Sequence, residues 1–302
     1  FDNPLMYYNG NMRRILFFTI YILFFAVISS LLFTILYMQF DEQPMLALNK
    51  AIKYGTILLC GLFIVPVLKY HNIFNKQVLG FSEPKIFFVL NIIKGFFLSI
   101  LLLTPLIIFY DYLGIRNIND IDLSMLDKTF LYIIIYTLFI SFIISIIEES
   151  YFRGIMIQKK INLIPIASTI IFSSLVYSLF HFIKIPLIID ENIVWNTGLI
   201  ELSNIFINFF SIVSYDAAIT LFVFGILLAL IRIRYQTISY CIGFHAGFIF
   251  MIKLFKQNSF VNYEEDYSSY LSSYDQFTGS IATIWIMLIL IIYLIYIYKV
   301  RE

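Results

Sequence analysis

The stretch IIEESYFRG, Ile146–Gly154, places Glu148, Glu149 and Arg153 directly after a charge-free run from Thr129 to Ile147. A charged side chain at mid-bilayer depth costs roughly 2.5–3.5 kcal/mol on insertion scales, so three ionisable groups there imply a function. Glu149 and Arg153 stand at i and i+4 with the acid N-terminal, the order that pairs well on one helix face. Glu148 lies about 140° around the helix from Arg153 at 100° per residue, and is the carboxylate left without a local partner. Ser141 and Ser145 fall one and two turns earlier, on roughly the Glu148 face, and extend a polar stripe that must face protein or water. The bland alternative is a structural ion pair that locks two helices together. It accounts for Glu149 and Arg153 more readily than for Glu148.

The chain has three histidines. His71 falls between apolar runs and reads as a solvated loop residue. His181 closes SSLVYSLFHF, where Ser174, Tyr177, Ser178 and His181 recur at i, i+3, i+4 and i+7 on one helix face. His245 sits in CIGFHAGFIF beside Gly243, Ala246 and Gly247, small residues that let another helix or a substrate backbone come close. Imidazole and carboxylate are the usual acid, base and metal-ligand groups. Glu148, His181 and His245 are thus expected to converge in one water-accessible cavity, a hydrolytic or proton-handling site. Cys60 and Cys241 lie in separate apolar segments and suggest neither a disulfide framework nor a thiolate metal site.

The elements that must position these groups are membrane spans. Of 302 residues 61% are hydrophobic and 13% charged, against about half and a quarter in soluble domains. The net charge of +1 gives no basis for nucleic-acid binding. Charge-free runs predict an all-α polytopic protein of about eight transmembrane helices: Ile15–Phe40, Met45–Leu68, Ile86–Tyr110, Thr129–Ile157, Ile161–Ile183, Ala217–Ile231, Tyr235–Ile252 and Gly279–Tyr298. The sixth is short and could extend back through Leu202–Tyr215. The first, 26 residues long, exceeds the apolar core of a cleaved leader. Basic residues (Arg13, Arg14; Lys69, Lys76, Lys85; Lys159, Lys160; Arg232, Arg234; Lys299, Arg301) alternate between loops with acidic ones (Asp41, Glu42; Asp111, Asp120, Asp122, Asp127; Asp190, Glu191, Glu201; Glu264, Glu265, Asp266, Asp275). The positive-inside rule then puts both termini in the cytoplasm. Lys94, inside the third span, reads as a snorkelling side chain.

The ordered motifs resemble the CPBP family of intramembrane endopeptidases (the CAAX protease and bacteriocin-processing, or Abi, family), whose signature is EExxxR, then FxxxH, then HxxxN. Here EESYFR (Glu148–Arg153) matches the first, YSLFH (Tyr177–His181) matches the second with Tyr for Phe, and HAGFI (His245–Ile249) has Ile where Asn is usual. The resemblance covers about Thr129 to Lys253. It implies three segments: 1–128 with helices 1–3, a catalytic core at 129–255 with helices 4–7, and 256–302 with a loop and the last helix. It implies that Glu148 and His181 activate water and that His245 stabilises the oxyanion, with Glu149, Arg153 and Tyr177 supporting the site. A zinc-dependent version of the chemistry would use Glu148, His181 and His245 as ligands. At Ile249 the missing donor could be replaced by a backbone amide, by Tyr240 or by a metal. The implied partners are a membrane-associated peptide or protein substrate and the lipid bilayer. Short loops and an Ile-, Lys- and Asn-rich composition point to a bacterial cytoplasmic membrane, where peptide pheromones or bacteriocins are the family-level substrates. Two other readings are an inactive relative serving as an immunity or scaffold protein, and a proton-coupled transporter. Discontinuous helices and repeated halves would mark the transporter, and neither is visible in the sequence.

Overall fold

The computed structural model describes residues 4–40, 46–118, 128–157, 163–188 and 193–299. Among the described residues six helical stretches are long and apolar enough to cross a membrane: Met12–Tyr37, Leu48–Tyr70, Lys85–Tyr112, Phe130–Ile155, Tyr215–Tyr235 and Ser280–Lys299. The chain is an all-α, multi-pass integral membrane protein, and these six coincide with six of the expected spans. The other two expected spans also form helices. The fifth is shortened because its helix stops at Phe180, and its described apolar part is Ile166–Phe180. The seventh becomes Ser239–Gln257, whose His245, Lys253 and Lys256 dilute its apolar character. Asp41, Glu42, Asp120, Asp122, Asp127, Lys159, Lys160, Asp190, Glu191 and Arg301 lie outside the described residues.

The helices gather into two compact units, residues 1–75 with 178–213 and residues 76–177 with 214–302, a spatial grouping distinct from the segments 1–128, 129–255 and 256–302. The first unit holds α1 (Pro4–Tyr37) and α2 (Leu48–Tyr70), followed after the break in sequence by α7 (Thr197–Ile207) and α8 (Phe209–Ile212). Hydroxyls tie α1 to α2: Ser29 donates to the Ile52 carbonyl at 2.7 Å and Tyr21 to the Cys60 carbonyl at 2.7 Å. In a membrane such bonds and close van der Waals packing do the work that water exclusion does in a soluble core. Residues 202–215, considered as an extension of the sixth span, instead fall in the end of α7, in α8 and in the chain leading to Tyr215.

The second unit contains α3 (Lys76–Leu79), α4 (Lys85–Tyr112), α5 (Lys128–Glu149), α9 (Tyr215–Tyr235), α10 (Ser239–Gln257) and α11 (Ser280–Lys299). The helix α6 (Leu163–Phe180) begins in this unit. Glycines set the contact of α4 with α10. A Cβ on Gly95 would lie 2.7 Å from the Tyr240 carbonyl oxygen, and one on Gly243 would run into the carbonyl oxygen of Ile92. A Cβ on Gly247 would strike the Ser99 hydroxyl. The small residues around His245 therefore seat a neighbouring helix, one of the two roles their size allowed. The indole of Trp285 on α11 donates to the Leu102 carbonyl of α4 at 2.9 Å, and Thr220 on α9 meets Thr283 on α11 at 2.6 Å. Beyond one end of these helices β1 (Arg116–Ile118) pairs antiparallel with β2 (Ser259–Val261). Arg116 is buried there and donates to Ser259 Oγ, to the Ser259 carbonyl and to the Gln276 carbonyl at 3.0, 2.9 and 3.0 Å. Lys94 is exposed on α4.

Candidate active site

The helix carrying the carboxylates does not continue as an α-helix to Ile157. It stops at Glu149 and widens into a π-helical turn, Ser150–Ile155. One extra residue per turn re-aims the side chains that follow and releases backbone carbonyls from the regular ladder, and such insertions recur at functional sites. Here the released Arg153 carbonyl accepts a hydrogen bond from Nε of Arg232 at 3.0 Å. Arg232 also donates from Nη2 to the Val78 carbonyl at 2.9 Å. Read in the sequence as a loop charge, Arg232 is instead buried in the last turn of α9, whereas its neighbour Arg234 is exposed.

The polar stripe on α5 leads to Glu149 rather than to Glu148. Ser141, Ser145 and Glu149 recur every fourth residue, and all three are fully buried. A step of four residues turns a helix through about 40°, a step of three through about −60°, so Glu149 continues the Ser145 face more closely. Ile146 and Ile147 on the other side are 45% exposed. The stripe faces protein, as its polarity requires.

Glu149 joins two groups that are far apart in sequence. Its Oε1 accepts from Nη1 of Arg153 at 3.3 Å and from Nδ1 of His245 at 2.9 Å. The intrahelical pair expected from the i, i+4 spacing is present, and its acid also holds the imidazole. Arg153 donates from Nη2 to the Gly225 carbonyl of α9 at 3.2 Å and lies over the Tyr177 ring, 4.4 Å from its centroid. Thus one buried guanidinium is satisfied by a carboxylate, a carbonyl and an aromatic face.

In the neutral tautomer that donates Nδ1–H to the Glu149 carboxylate, Nε2 of His245 is an acceptor. Two oxygens approach that nitrogen: the Tyr177 hydroxyl at 3.4 Å and Glu148 Oε2 at 3.9 Å. Glu148 keeps 27% of its side chain accessible, while Glu149 has none. The edge of Phe224 closes another side of the imidazole, with ring centroids 5.5 Å apart. The result is an imidazole beside a partly accessible glutamate whose Oε2 is itself buried, walled by aromatic rings.

His181 belongs to the other compact unit. Because α6 ends at Phe180, His181 opens the turn that follows instead of completing the helical stripe, and its N–H donates to the Ser178 carbonyl at 3.2 Å. Tyr240 turns its ring onto Tyr235, at 4.5 Å between centroids. Ile249 lies one turn beyond His245 on α10 and is half-buried. His71 caps the end of α2, with its ring 4.6 Å from that of Phe17.

Glu148 and His245 are the zinc-type donors that this unit brings to the site, and Glu149 is already engaged by Arg153 and His245. Among the described residues no group of three or more His, Cys, Asp and Glu side chains is arranged to hold a metal ion. A catalytic zinc site needs three protein ligands, and the third expected one, His181, belongs to the other compact unit.

Sequence reasoning missed the sharing of Glu149, the burial of Arg232 and the π turn. Of these, Arg232 had a readable signal, because two arginines two residues apart on a helix point to different sides and only one of them can face solvent.

Residues 130–251 match the family model of the type II CAAX prenyl endopeptidase Rce1-like proteins. This interval contains Glu148, Glu149, Arg153, Tyr177, His181 and His245. No curated protein and no solved structure matches the chain.

Proposed function

We propose that this chain, a member of the type II CAAX prenyl endopeptidase Rce1-like family through residues 130–251, is an intramembrane endopeptidase that hydrolyses a peptide bond of a membrane-associated peptide or protein. The observation that carries this reading is the pair of oxygens at His245 Nε2, one of them from the accessible Glu148, on an imidazole whose other nitrogen is held by Glu149. Glu148 takes a proton from water as the water oxygen attacks the scissile carbonyl. The C–O bond forms, and the carbonyl oxygen becomes an oxyanion on the His245 side. Collapse breaks the C–N bond, and the proton held by Glu148 passes to the leaving amine. His181 is assigned to water activation by its motif. Glu149 and Arg153 hold the imidazole and the π turn in place. The site lies near the cytoplasmic face, in the orientation that the basic loops support.

Ile249, where the family pattern has Asn, motivates a second reading, an inactive relative that binds a partner through the same groups. One experiment separates the two. The purified protein is incubated with farnesylated CAAX peptides and unmodified hydrophobic peptides. Cleavage by wild type that disappears in Glu148→Ala, with folded yield unchanged, supports the enzyme. Absence of cleavage by wild type across the panel supports the inactive relative.

A further inference from the structure

Two departures from the motif pattern meet at one imidazole nitrogen. Position 249 offers an aliphatic side chain where an amide donor is usual, and position 177 offers a phenol where a plain ring is usual. The added hydroxyl is the atom found 3.4 Å from His245 Nε2. We infer that the Tyr177 hydroxyl is the oxyanion donor of this site, supplying from α6 the hydrogen bond that Ile249 on α10 does not make. This inference rests on the endopeptidase reading above and assigns the donor within it.

The Glu149 carboxylate at Nδ1 favours one direction for the bond at Nε2. In the neutral tautomer that donates Nδ1–H to Glu149, Nε2 is an acceptor and does not itself donate to a developing negative charge. Tyr177 provides the proton of the Tyr177–His245 hydrogen bond. The phenol is rigidly aimed. Its side chain is 1% exposed, the Arg153 guanidinium covers one face, and the Phe152 ring meets it edge-on at 5.2 Å. A buried phenol with two torsions, already held, loses little freedom when it changes acceptor. Glu148 Oε2 lies 3.9 Å from the same Nε2, so a scissile carbonyl seated against this nitrogen has the base beside it and the Tyr177 hydroxyl within reach of its oxygen. In the resting site the hydroxyl rests on Nε2. As the oxyanion forms, the O–H turns from Nε2 to the new charge, and no covalent bond to Tyr177 is made or broken.

Preorganised donors of this type typically contribute about 10²–10³ in rate. Tyr177→Phe removes the hydroxyl and keeps the ring under Arg153. The expected result is a fall in kcat of about 10²-fold with KM within about threefold of wild type and an unchanged melting midpoint. Ile249→Asn alone is expected to be neutral, and in the Tyr177→Phe background it should recover part of the lost kcat. A spectroscopic readout accompanies the kinetics. With three histidines in the chain, ¹⁵N-histidine labelling yields few resonances, and the Nε2 signal that Tyr177→Phe shifts is that of His245. Tyr177→Phe turning over at the wild-type rate overturns the inference while leaving the endopeptidase reading standing. A wild type that cleaves no peptide of the panel, although the His245 signal still responds to Tyr177→Phe, fails the endopeptidase reading and the donor role with it.

Discussion

Replacing Glu149 by alanine should unfold this protein more readily than replacing its neighbour Glu148, although the two carboxylates are adjacent in sequence. Glu149 has no accessible side-chain surface, and its Oε1 serves both Arg153 at 3.3 Å and His245 Nδ1 at 2.9 Å. Alanine there leaves the Arg153 guanidinium, also buried, with a carbonyl and a ring face but no counter-charge. Breaking a buried pair by removing one partner costs about 3–5 kcal/mol. The orphaned imidazole N–H would cost about 1–3 kcal/mol if counted alone. One oxygen serves both contacts, so the two losses overlap, and about 3–5 kcal/mol is the working figure. Glu148 is 27% accessible, and its approach to His245 is 3.9 Å, beyond hydrogen-bond range. At that distance the contact with the neutral imidazole is neither a hydrogen bond nor an ion pair. The assay is the folded fraction after detergent extraction, by fluorescence-detected size exclusion over a temperature series. Glu149→Ala should lower the midpoint by about 6 °C or more, at roughly 2 °C per kcal/mol for a chain of this size. Glu148→Ala should stay within about 2 °C of wild type. Glu149→Gln, which keeps the acceptor and drops the charge, should fall between them. Equal midpoints for Glu148→Ala and Glu149→Ala would refute the division between a structural and a chemical carboxylate.

Three further outcomes follow from particular contacts. Gly243→Val should destabilise by about 1–3 kcal/mol or more, because its side chain must displace the Ile92 backbone of α4. Gly61→Val, with no atom within 4 Å of its Cβ position, should leave folded yield unchanged, and equal yields for the two would contradict the α4–α10 packing. Arg232→Ala should lower the melting midpoint well below that of Arg234→Ala, since it removes donors from the Arg153 and Val78 carbonyls and charge-assisted hydrogen bonds contribute about 1.5–3 kcal/mol each. A zinc chelator separates the two chemistries open to Glu148 and His245: unchanged peptide cleavage supports activation of water by the carboxylate alone, and loss of cleavage restored by added zinc supports a metal.

Properties carried by consecutive residues were legible in the sequence. Six spans could be read from apolar runs, because transfer into hydrocarbon is a nearly additive property of about twenty neighbouring side chains. The Glu149–Arg153 pair was legible because helical geometry brings i and i+4 together whatever the rest of the chain does. The motif order identified Glu148, His181 and His245 as candidates, since a motif needs only residue types and spacing. What the sequence could not decide was which carboxylate would hold the imidazole. That depended on the chain returning α10 to α5 across a separation of 96 residues, and on a π turn whose extra residue carries no compositional mark. The contact of Tyr177 with His245 spans 68 residues and likewise belongs to packing. Glycines 95, 243 and 247 announce close approach in the sequence but not the partner, and only the docked helices show that it is α4 against α10. Local sequence can specify turns, faces and spans because their energies are local, whereas the direction of a hydrogen bond between distant helices is decided only when both backbones are in place.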